Sequence, residues 1–309
     1  MNTPLLVTDQ TRCYDTQGKA IDCAHTGQDA AQVKIILPPD QRFIPQGELV
    51  LDTVTKALWT KDANPFCFPM EWAKARKTVK DMAERQAYGQ CKWQLPSRRL
   101  LFSLVSHQEH TPALVAGNPF SSVFSGYYWT DDACHRLPDQ AWHIHIGGGR
   151  VTKGNKADAA LVWPVCPAVA NGEPALGPDG EDRFLLAGPV AQDRNTGLFW
   201  SLDAGSGPSP VSWQEALDHI DRLNASALHG RKTWRLPNIR ELESLVSLEA
   251  DSPALRQGHP FTNVREGYWS STTSVYEPRY AWVLYMRDGM VGVGYKPDRS
   301  FYLWPVCDR

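Results

Sequence analysis

The chain lacks the features that mark membrane and nucleic-acid-binding proteins. No stretch approaches the roughly 18 consecutive apolar residues of a membrane-spanning helix. The formal net charge is −2, so there is no basic excess with which to bind nucleic acid or an anionic membrane. The N-terminus, Met1-Asn2-Thr3-Pro4, lacks the basic region and apolar run of a signal peptide. We therefore expect either a cytosolic protein or the mature part of a secreted one, with a start methionine added.

Sequence patterns of common catalytic and metal sites are also missing. The chain has no Cys-x-x-Cys pair and no nucleophile elbow with a Ser-His-Asp order. We predict no catalytic residue, no cofactor and no metal. The weak metal candidates are His143 and His145, because alternate residues of a strand share a face. A third ligand would have to come from His135, Asp131 or Asp132.

A long internal repeat, rich in tryptophan, dominates what is present. Trp234-Arg235-Leu236-Pro237 repeats Trp93-Gln94-Leu95-Pro96, with the two prolines 141 positions apart (237 − 96). The same offset relates further landmarks, namely Trp59 and Trp200, Trp72 and Trp213, Pro119-Phe120 and Pro260-Phe261, and Trp163 and Trp304. One inserted residue near Tyr127-Tyr128 changes the offset locally. Solenoid repeats run roughly 20–50 residues, so this period indicates two copies of a whole domain.

The repeat and the composition divide the chain into four parts. A chain of 309 residues suits two domains of ordinary size. We assign residues 1–40 to an N-terminal extension, 41–167 to the first copy, 168–182 to an interdomain linker and 183–309 to the second copy. The linker is predicted from its glycine and proline content.

Each copy reads as an α+β unit with two helices followed by a meander of short antiparallel strands. Apolar residues at helical spacing predict an amphipathic helix over 70–87, and Ser212 with Glu215 forms a capping box for its second-copy counterpart. Asp288-Gly289 predicts a hairpin turn. In the repeated motif, Arg235 and Glu241 are placed to form a buried or half-buried ion pair that braces a helix against the sheet.

The cysteines indicate an oxidising compartment. Of the seven, Cys13 and Cys23 flank a segment that reads as a hairpin turning at Gln17-Gly18, which would bring their sulfurs together. Zinc is the competing interpretation, but no second ligand pair lies nearby, so a disulfide is favoured. The odd total leaves one thiol over. Cys307 is the candidate, because the second copy holds no other cysteine.

Several motifs of the second copy resemble one bacterial domain family. They are Trp234–Leu242, Gly267-Tyr268-Trp269-Ser270-Ser271-Thr272, Ala281-Trp282, Asp288-Gly289 and Pro305-Val306-Cys307. The family is the DUF1566 domain, which includes the C-terminal domain of the Legionella collagen-like adhesin. The first copy resembles it less closely, with Gln94 in place of the usual arginine and Trp129-Thr130-Asp131 in place of Trp-Ser-Ser.

This resemblance, which covers nearly the whole chain, implies a fold, a location and two disulfides. The fold would be C-type-lectin-like and related to that of the formylglycine-generating enzyme, and members are mostly secreted or surface-attached. The resemblance pairs Cys91 with Cys166, which leaves Cys67 with Cys134. The cysteine pair that the related enzyme uses for catalysis has no counterpart that can be mapped here, so we expect a non-enzymatic protein.

A binding surface is the remaining hypothesis. Tyrosine and arginine are enriched at binding hot spots, and aromatic faces suit sugar rings. The candidates on the outward strand faces and loops of the second copy are Tyr276, Tyr280, Tyr285, Arg287, Tyr295, Arg299 and Tyr302. Tyrosine is also a good strand former, so these could be ordinary outward residues. We predict recognition of a glycan or a surface protein. The alternatives are a subunit of a surface or secretion assembly, or an enzyme on the related fold.

Overall fold

The computed structural model describes residues 7–32, 34–167, 183–205, 207 and 209–308. The chain forms two compact units. One contains the first copy and runs from Ile36 to Leu176. The other combines Gly177–Arg309 with Met1–Ile35, so the described part of the N-terminal extension belongs with the second copy rather than standing alone. The predicted linker, 168–182, lies outside the described residues.

The N-terminal extension begins with a small hairpin. Its strands are β1 (Cys13–Tyr14) and β2 (Ala20–Ile21), which pair antiparallel. Cys13 and Cys23 form the predicted disulfide, with their Cα atoms 5.2 Å apart. A single 3₁₀ turn follows at Asp29–Ala31.

The first copy contains two antiparallel sets of strands and three α-helices among its described residues. In chain order its elements are α1 (Pro39–Arg42), β3 (Phe43–Gln46), β4 (Leu49–Asp52), β5 (Ala57–Thr60), α2 (Trp72–Glu84), α3 (Arg98–Phe102), β6 (Tyr127–Ala133), β7 (Gln140–His145), β8 (Arg150–Asn155) and β9 (Val165–Pro167). One sheet has the order β3-β4-β5-β9. Because β9 pairs with β5, the last strand of the copy closes against its beginning. Strands β6, β7 and β8 form an antiparallel meander.

The second copy repeats this plan. Its elements are β10 (Phe184–Ala187), β11 (Val190–Asp193), β12 (Phe199–Ser201), α4 (Trp213–Ala225), α5 (Ile239–Ser244), β13 (Tyr268–Thr273), β14 (Tyr280–Tyr285), β15 (Met290–Tyr295) and β16 (Val306–Cys307). One sheet has the order β10-β11-β12-β16. Strands β13, β14 and β15 form the meander. Both copies are therefore α+β domains, as the sequence predicts.

The repeated tryptophans are core residues that also hold the backbone together. Trp59 packs edge-on against Trp163 at a centroid distance of 5.4 Å, and Trp200 packs against Trp304 at 5.3 Å. The indole N–H of Trp72 donates to Thr130 O at 2.8 Å, and its counterpart Trp213 donates to Ser270 O at 2.7 Å. Trp72 and Trp213 thus bury apolar area while their N–H groups find partners, whereas the buried N–H groups of Trp59 and Trp200 have no hydrogen-bond partner among the described residues.

The helix starts of the second copy match their predicted chemistry. Ser212 and Glu215 form a capping box at α4. Arg235 and Glu241 form a buried bidentate ion pair at 2.7 and 2.8 Å. Glu241 also accepts from Asn238 N at 2.8 Å, completing a second capping box at α5. Burial lowers the pKa of the Arg235 guanidinium, but the nearby carboxylates of Glu241 and Asp308 raise it by more. The net effect is a raised pKa.

Two disulfides implied by the family resemblance are not formed. Cys67, Cys91, Cys134 and Cys166 are all free thiols in the structure, so this prediction is corrected. Cys67 and Cys91 are exposed, whereas Cys134 and Cys166 are buried. Cys307, the candidate for the one thiol left over, is also free and buried, but it is one of five free cysteines rather than a single one.

Candidate functional site

A pocket of about 570 Å³ opens on the second copy. Its lining combines aromatic rings, two arginines, one glutamate and several small residues. The lining residues are Pro210, Val264, Arg265, Glu266, Gly267, Tyr285, Arg287, Ser300, Phe301 and Tyr302. Binding sites for small molecules and peptides are typically concave and combine apolar walls with placed polar groups. This pocket is concave, and its lining is polar and apolar in about equal measure.

Three segments of the chain converge to form the pocket. Tyr285 is the last residue of β14, and Arg287 lies in the four-residue turn 286–289 that follows. Tyr302 is brought beside the start of β13 by a bridge with Tyr268. Arg265 lies in the loop before β13, where its backbone N–H donates to the Tyr268 hydroxyl at 2.6 Å.

The floor of the pocket depends on Gly267. A Cβ at this position would lie 2.9 Å from Phe301 Cδ1, closer than packed carbons approach. Phe301 packs edge-on against Trp269 at 4.8 Å and against Tyr285 at 5.6 Å. The glycine therefore allows Phe301 to sit against the strand and connect the pocket to the core.

The two arginines give the pocket a positive charge that the described residues do not neutralise by ion pairing. The Arg265 guanidinium lies over the Tyr302 ring, with Cζ 5.1 Å from the centroid, and its Nε is buried without a hydrogen-bond partner there. Arg287 is exposed. Neither arginine forms an ion pair with a carboxylate of the described ranges, although Glu266 lines the same pocket. Guanidinium groups that line a pocket without a carboxylate partner favour an acidic ligand that accepts from them.

The first copy carries different side chains at the matching positions. Phe124 N donates to the Tyr128 hydroxyl at 2.9 Å, as Arg265 N does to Tyr268, so Phe124 replaces Arg265. The remaining replacements are Tyr127 for Gly267, His145 for Tyr285, Gly147 for Arg287 and Ala160 for Phe301.

Tyr127 supplies in the first copy the ring that Phe301 supplies in the second. It stacks on His143 at a centroid distance of 4.0 Å and meets His145 edge-on at 4.8 Å. The first copy thus exchanges a glycine–phenylalanine pair for a tyrosine–alanine pair and has neither pocket arginine.

The structure brings together three of the seven predicted ligand-binding residues. Tyr285, Arg287 and Tyr302 all line the pocket. The others lie elsewhere. Tyr280 and Tyr295 pair at the opposite end of β14, with rings 5.3 Å apart, and exposed Tyr276 belongs to the loop before that end. Arg299 forms an ion pair with Glu215 near the start of α4.

His143 and His145 do not form a metal centre with the proposed third ligands. His143 Nε2 is 2.8 Å from Thr152 Oγ1, and burial lowers its pKa to about 4. Asp131 pairs with Arg76, and Asp132 accepts from the Arg98 backbone N–H. Over the described ranges, no group of three or more His, Cys, Asp or Glu side chains could hold a metal ion.

Sequence reasoning missed Arg265, Gly267 and Phe301. All three differ from their first-copy counterparts, and Arg265 replaces an exposed phenylalanine, Phe124. Aligning the two copies would have revealed Arg265, because one copy is charged and the other apolar at that position of an otherwise matched repeat.

Comparison with known families supports the repeat. The Lcl C-terminal domain matches residues 48–166 and again 189–307, together more than half of the chain. A search of curated proteins finds no match. In the part of the chain that the structure describes, no helix is long and apolar enough to cross a bilayer. The two matches coincide with the two structural copies, and the chain belongs to the Lcl C-terminal domain family as a tandem of two such domains.

Proposed function

We propose that this protein is a non-enzymatic, extracytoplasmic binding protein that recognises a glycan or protein ligand through the pocket of its second copy. The observation that carries the proposal is the meeting of Tyr285 and Tyr302 with Arg265 and Arg287 around one concavity. Tyrosine faces suit a sugar ring or an apolar side chain, and arginines suit an acidic group. A ligand that carries both kinds of group fits this lining.

The C-type-lectin-like fold is part of the same proposal. The order of elements within each copy, two longer helices followed by an antiparallel meander and a closing strand, is consistent with it. Membership of the Lcl C-terminal domain family is consistent with a role at the bacterial surface.

Two observations support the non-enzymatic and extracytoplasmic parts of the proposal. Burial raises the pKa of Cys166 to about 11 and also raises that of Cys307, so neither thiol is a ready nucleophile at neutral pH. The Cys13–Cys23 disulfide favours an oxidising compartment.

A glycan array probed with the full chain tests the proposal, with an acidic and neutral set of sugars and a parallel peptide array. We expect saturable binding to one ligand class, weakened about 10- to 100-fold by Arg265→Ala or Arg287→Ala, as expected for loss of a charged hydrogen bond. Tyr276→Ala is the matched control, because that exposed tyrosine lies at the far end of β14. Binding that survives both arginine changes would refute this site.

A further inference from the structure

The outer edge of a sheet in the second copy is apolar and exposed. Strand β10 is the terminal strand in the order β10-β11-β12-β16, and β11 is its one pairing partner within the described ranges. Its sequence, Phe-Leu-Leu-Ala, contains no charge. Leu185 is 47% exposed and Leu186 is 58% exposed. Natural edge strands are usually protected by charges, prolines or a covering element, because a bare edge pairs readily with another strand.

The register fixes which backbone groups point outward from β10. Ala187 pairs with Val190 across the two-residue turn Gly188-Pro189, so these two residues exchange both hydrogen bonds. Because hydrogen-bonded and non-bonded pairs alternate along an antiparallel ladder, the peptide groups of Leu186 and Phe184 face away from β11. No strand of the described ranges pairs with their N–H and C=O groups.

The first copy blocks this same edge. Its matching strand β3 reads Phe-Ile-Pro-Gln, so Pro45 occupies the position of Leu186. Proline has no N–H, and it is a common device for preventing edge-to-edge pairing. One chain therefore holds a protected and an unprotected version of one strand.

We propose that β10 pairs antiparallel with β10 of a second copy of this chain, forming a symmetric dimer. A twofold axis between the two Leu185 residues places Phe184 opposite Leu186 of the other chain, so that each outward N–H meets an outward C=O. The strand is complementary to itself, as a twofold interface requires. The uncharged sequence adds no like-charge repulsion, and the exposed leucines become buried.

This inference goes beyond the proposed function and does not depend on it. Strand β10 belongs to a different sheet from β14, the strand that ends in the ligand pocket. Pairing two chains would present two pockets on one particle, and two linked sites bind a multivalent surface far more tightly than one.

Sedimentation velocity of the full chain over a concentration series tests the proposal. We expect a reversible monomer–dimer equilibrium. Leu186→Pro, which copies Pro45, should raise the dimer dissociation constant at least about tenfold by removing the outward N–H of each chain. Leu186→Ser keeps that N–H and should weaken the dimer less. Circular dichroism and the thermal unfolding midpoint report whether each variant stays folded. A wild-type chain that is monomeric throughout, or a folded Leu186→Pro variant that dimerises like wild type, overturns the proposal.

A cross-link keeps the test decisive if Leu186→Pro does not fold. Leu185→Cys places a thiol beside the twofold axis, so mild oxidation should give a disulfide that joins position 185 of two chains, identified by peptide mass spectrometry. Tyr276→Cys is the matched exposed control and should not form the equivalent link at the same protein concentration. Equal linkage at both positions would indicate random collision and refute β10 pairing.

Discussion

The two copies share one backbone plan but differ in how they use charge. The second copy buries the Arg235–Glu241 ion pair, and it leaves Arg265 and Arg287 at a pocket. The first copy has Gln94 where the ion pair has Arg235, and it has neither pocket arginine. Both copies keep the tryptophan pairs and the indole hydrogen bonds. The shared tryptophan core therefore maintains the fold in both copies, whereas the Arg235–Glu241 pair and the two pocket arginines are specific to the copy that we propose binds ligand.

The helix that follows the repeated motif shows how each copy solves one structural problem. In the first copy, Asp132 accepts directly from the backbone N–H of Arg98 at the start of α3. In the second copy the Thr272 hydroxyl accepts from Ile239 N at 3.1 Å and donates to Asp29 at 2.8 Å. The second copy thus takes its carboxylate from the N-terminal extension.

The largest expected effect comes from breaking the ion pair of the second copy. Glu241→Ala leaves Arg235 buried beside Asp308 alone, and breaking a buried pair costs about 3–5 kcal/mol in the free energy of unfolding. Urea unfolding followed by tryptophan fluorescence measures this loss.

A double variant separates the loss of the ion pair from the burial of one unpaired charge. Arg235→Gln with Glu241→Leu installs the residues that the first copy has at these positions, Gln94 and Leu100. It removes both charges together, so we expect it to be more stable than Glu241→Ala. Equal destabilisation of the two variants would show that the ion pair is not what distinguishes the copies.

The next effect concerns the attachment of the N-terminal extension. Asp29 is buried and is contacted by Thr8, Lys34 and Thr272. Asp29→Ala leaves these donors without their acceptor, which we expect to lower the free energy of unfolding of the second unit by about 2–3 kcal/mol. Hydrogen exchange of peptides from α5 and β13 locates the loss.

Asp22→Ala is the control for Asp29→Ala. Asp22 is an exposed aspartate of the same extension and accepts from Ala24 N. It should change stability by less than about 0.5 kcal/mol. A similar loss in both variants would mean that the extension is held by its hairpin rather than by Asp29.

A smaller, pH-dependent effect is expected from Lys296. Its ammonium lies over the Trp213 ring at 4.1 Å and donates to Tyr14 O and Asp15 O, and burial lowers its pKa from 10.5 to about 7. The unfolded chain therefore binds more protons between pH 7 and 10.5, so folding stability should rise with pH in that window. The rise cannot exceed about 1.4 kcal/mol per pH unit for one group.

Thermal unfolding from pH 7 to 9 compares wild type with Lys296→Met, which should remove this contribution to the slope. Lys156→Met is the matched control, because Lys156 occupies the equivalent place over Trp72 in the first copy but is only partly buried. An unchanged slope in Lys296→Met would contradict the assignment.

Local and repeated patterns made much of the fold predictable. The capping box at Ser212, the disulfide between Cys13 and Cys23, and the Arg235–Glu241 pair each follow from residues at most ten positions apart or from motif spacing. The attachment of the extension was not predictable in this way. Asp29 and Thr272 are 243 positions apart, and a contact of that range leaves no periodic trace in the sequence.

The site was only partly predictable, because residue type and strand face indicate which side chains point outward but not which end of a strand forms a pocket. Tyr280 and Tyr285 lie at opposite ends of one six-residue strand, about 16 Å apart at the usual rise per residue. Only the end with Tyr285 forms the pocket. Arg265 lies in a loop, outside any periodic element, so only comparison with Phe124 could have revealed it. The Cys91–Cys166 pairing was carried over from the family rather than derived from this chain.

The most direct test of the central claim converts the second pocket into the first. Arg265→Phe with Arg287→Gly installs the residues found at Phe124 and Gly147 and changes no buried core side chain. Isothermal titration with the ligand found on the array compares this variant with wild type and with Tyr276→Ala. We predict that the converted protein loses binding by at least about 100-fold while its unfolding midpoint is unchanged. Wild-type affinity in the converted protein would contradict the claim that this pocket distinguishes the two copies.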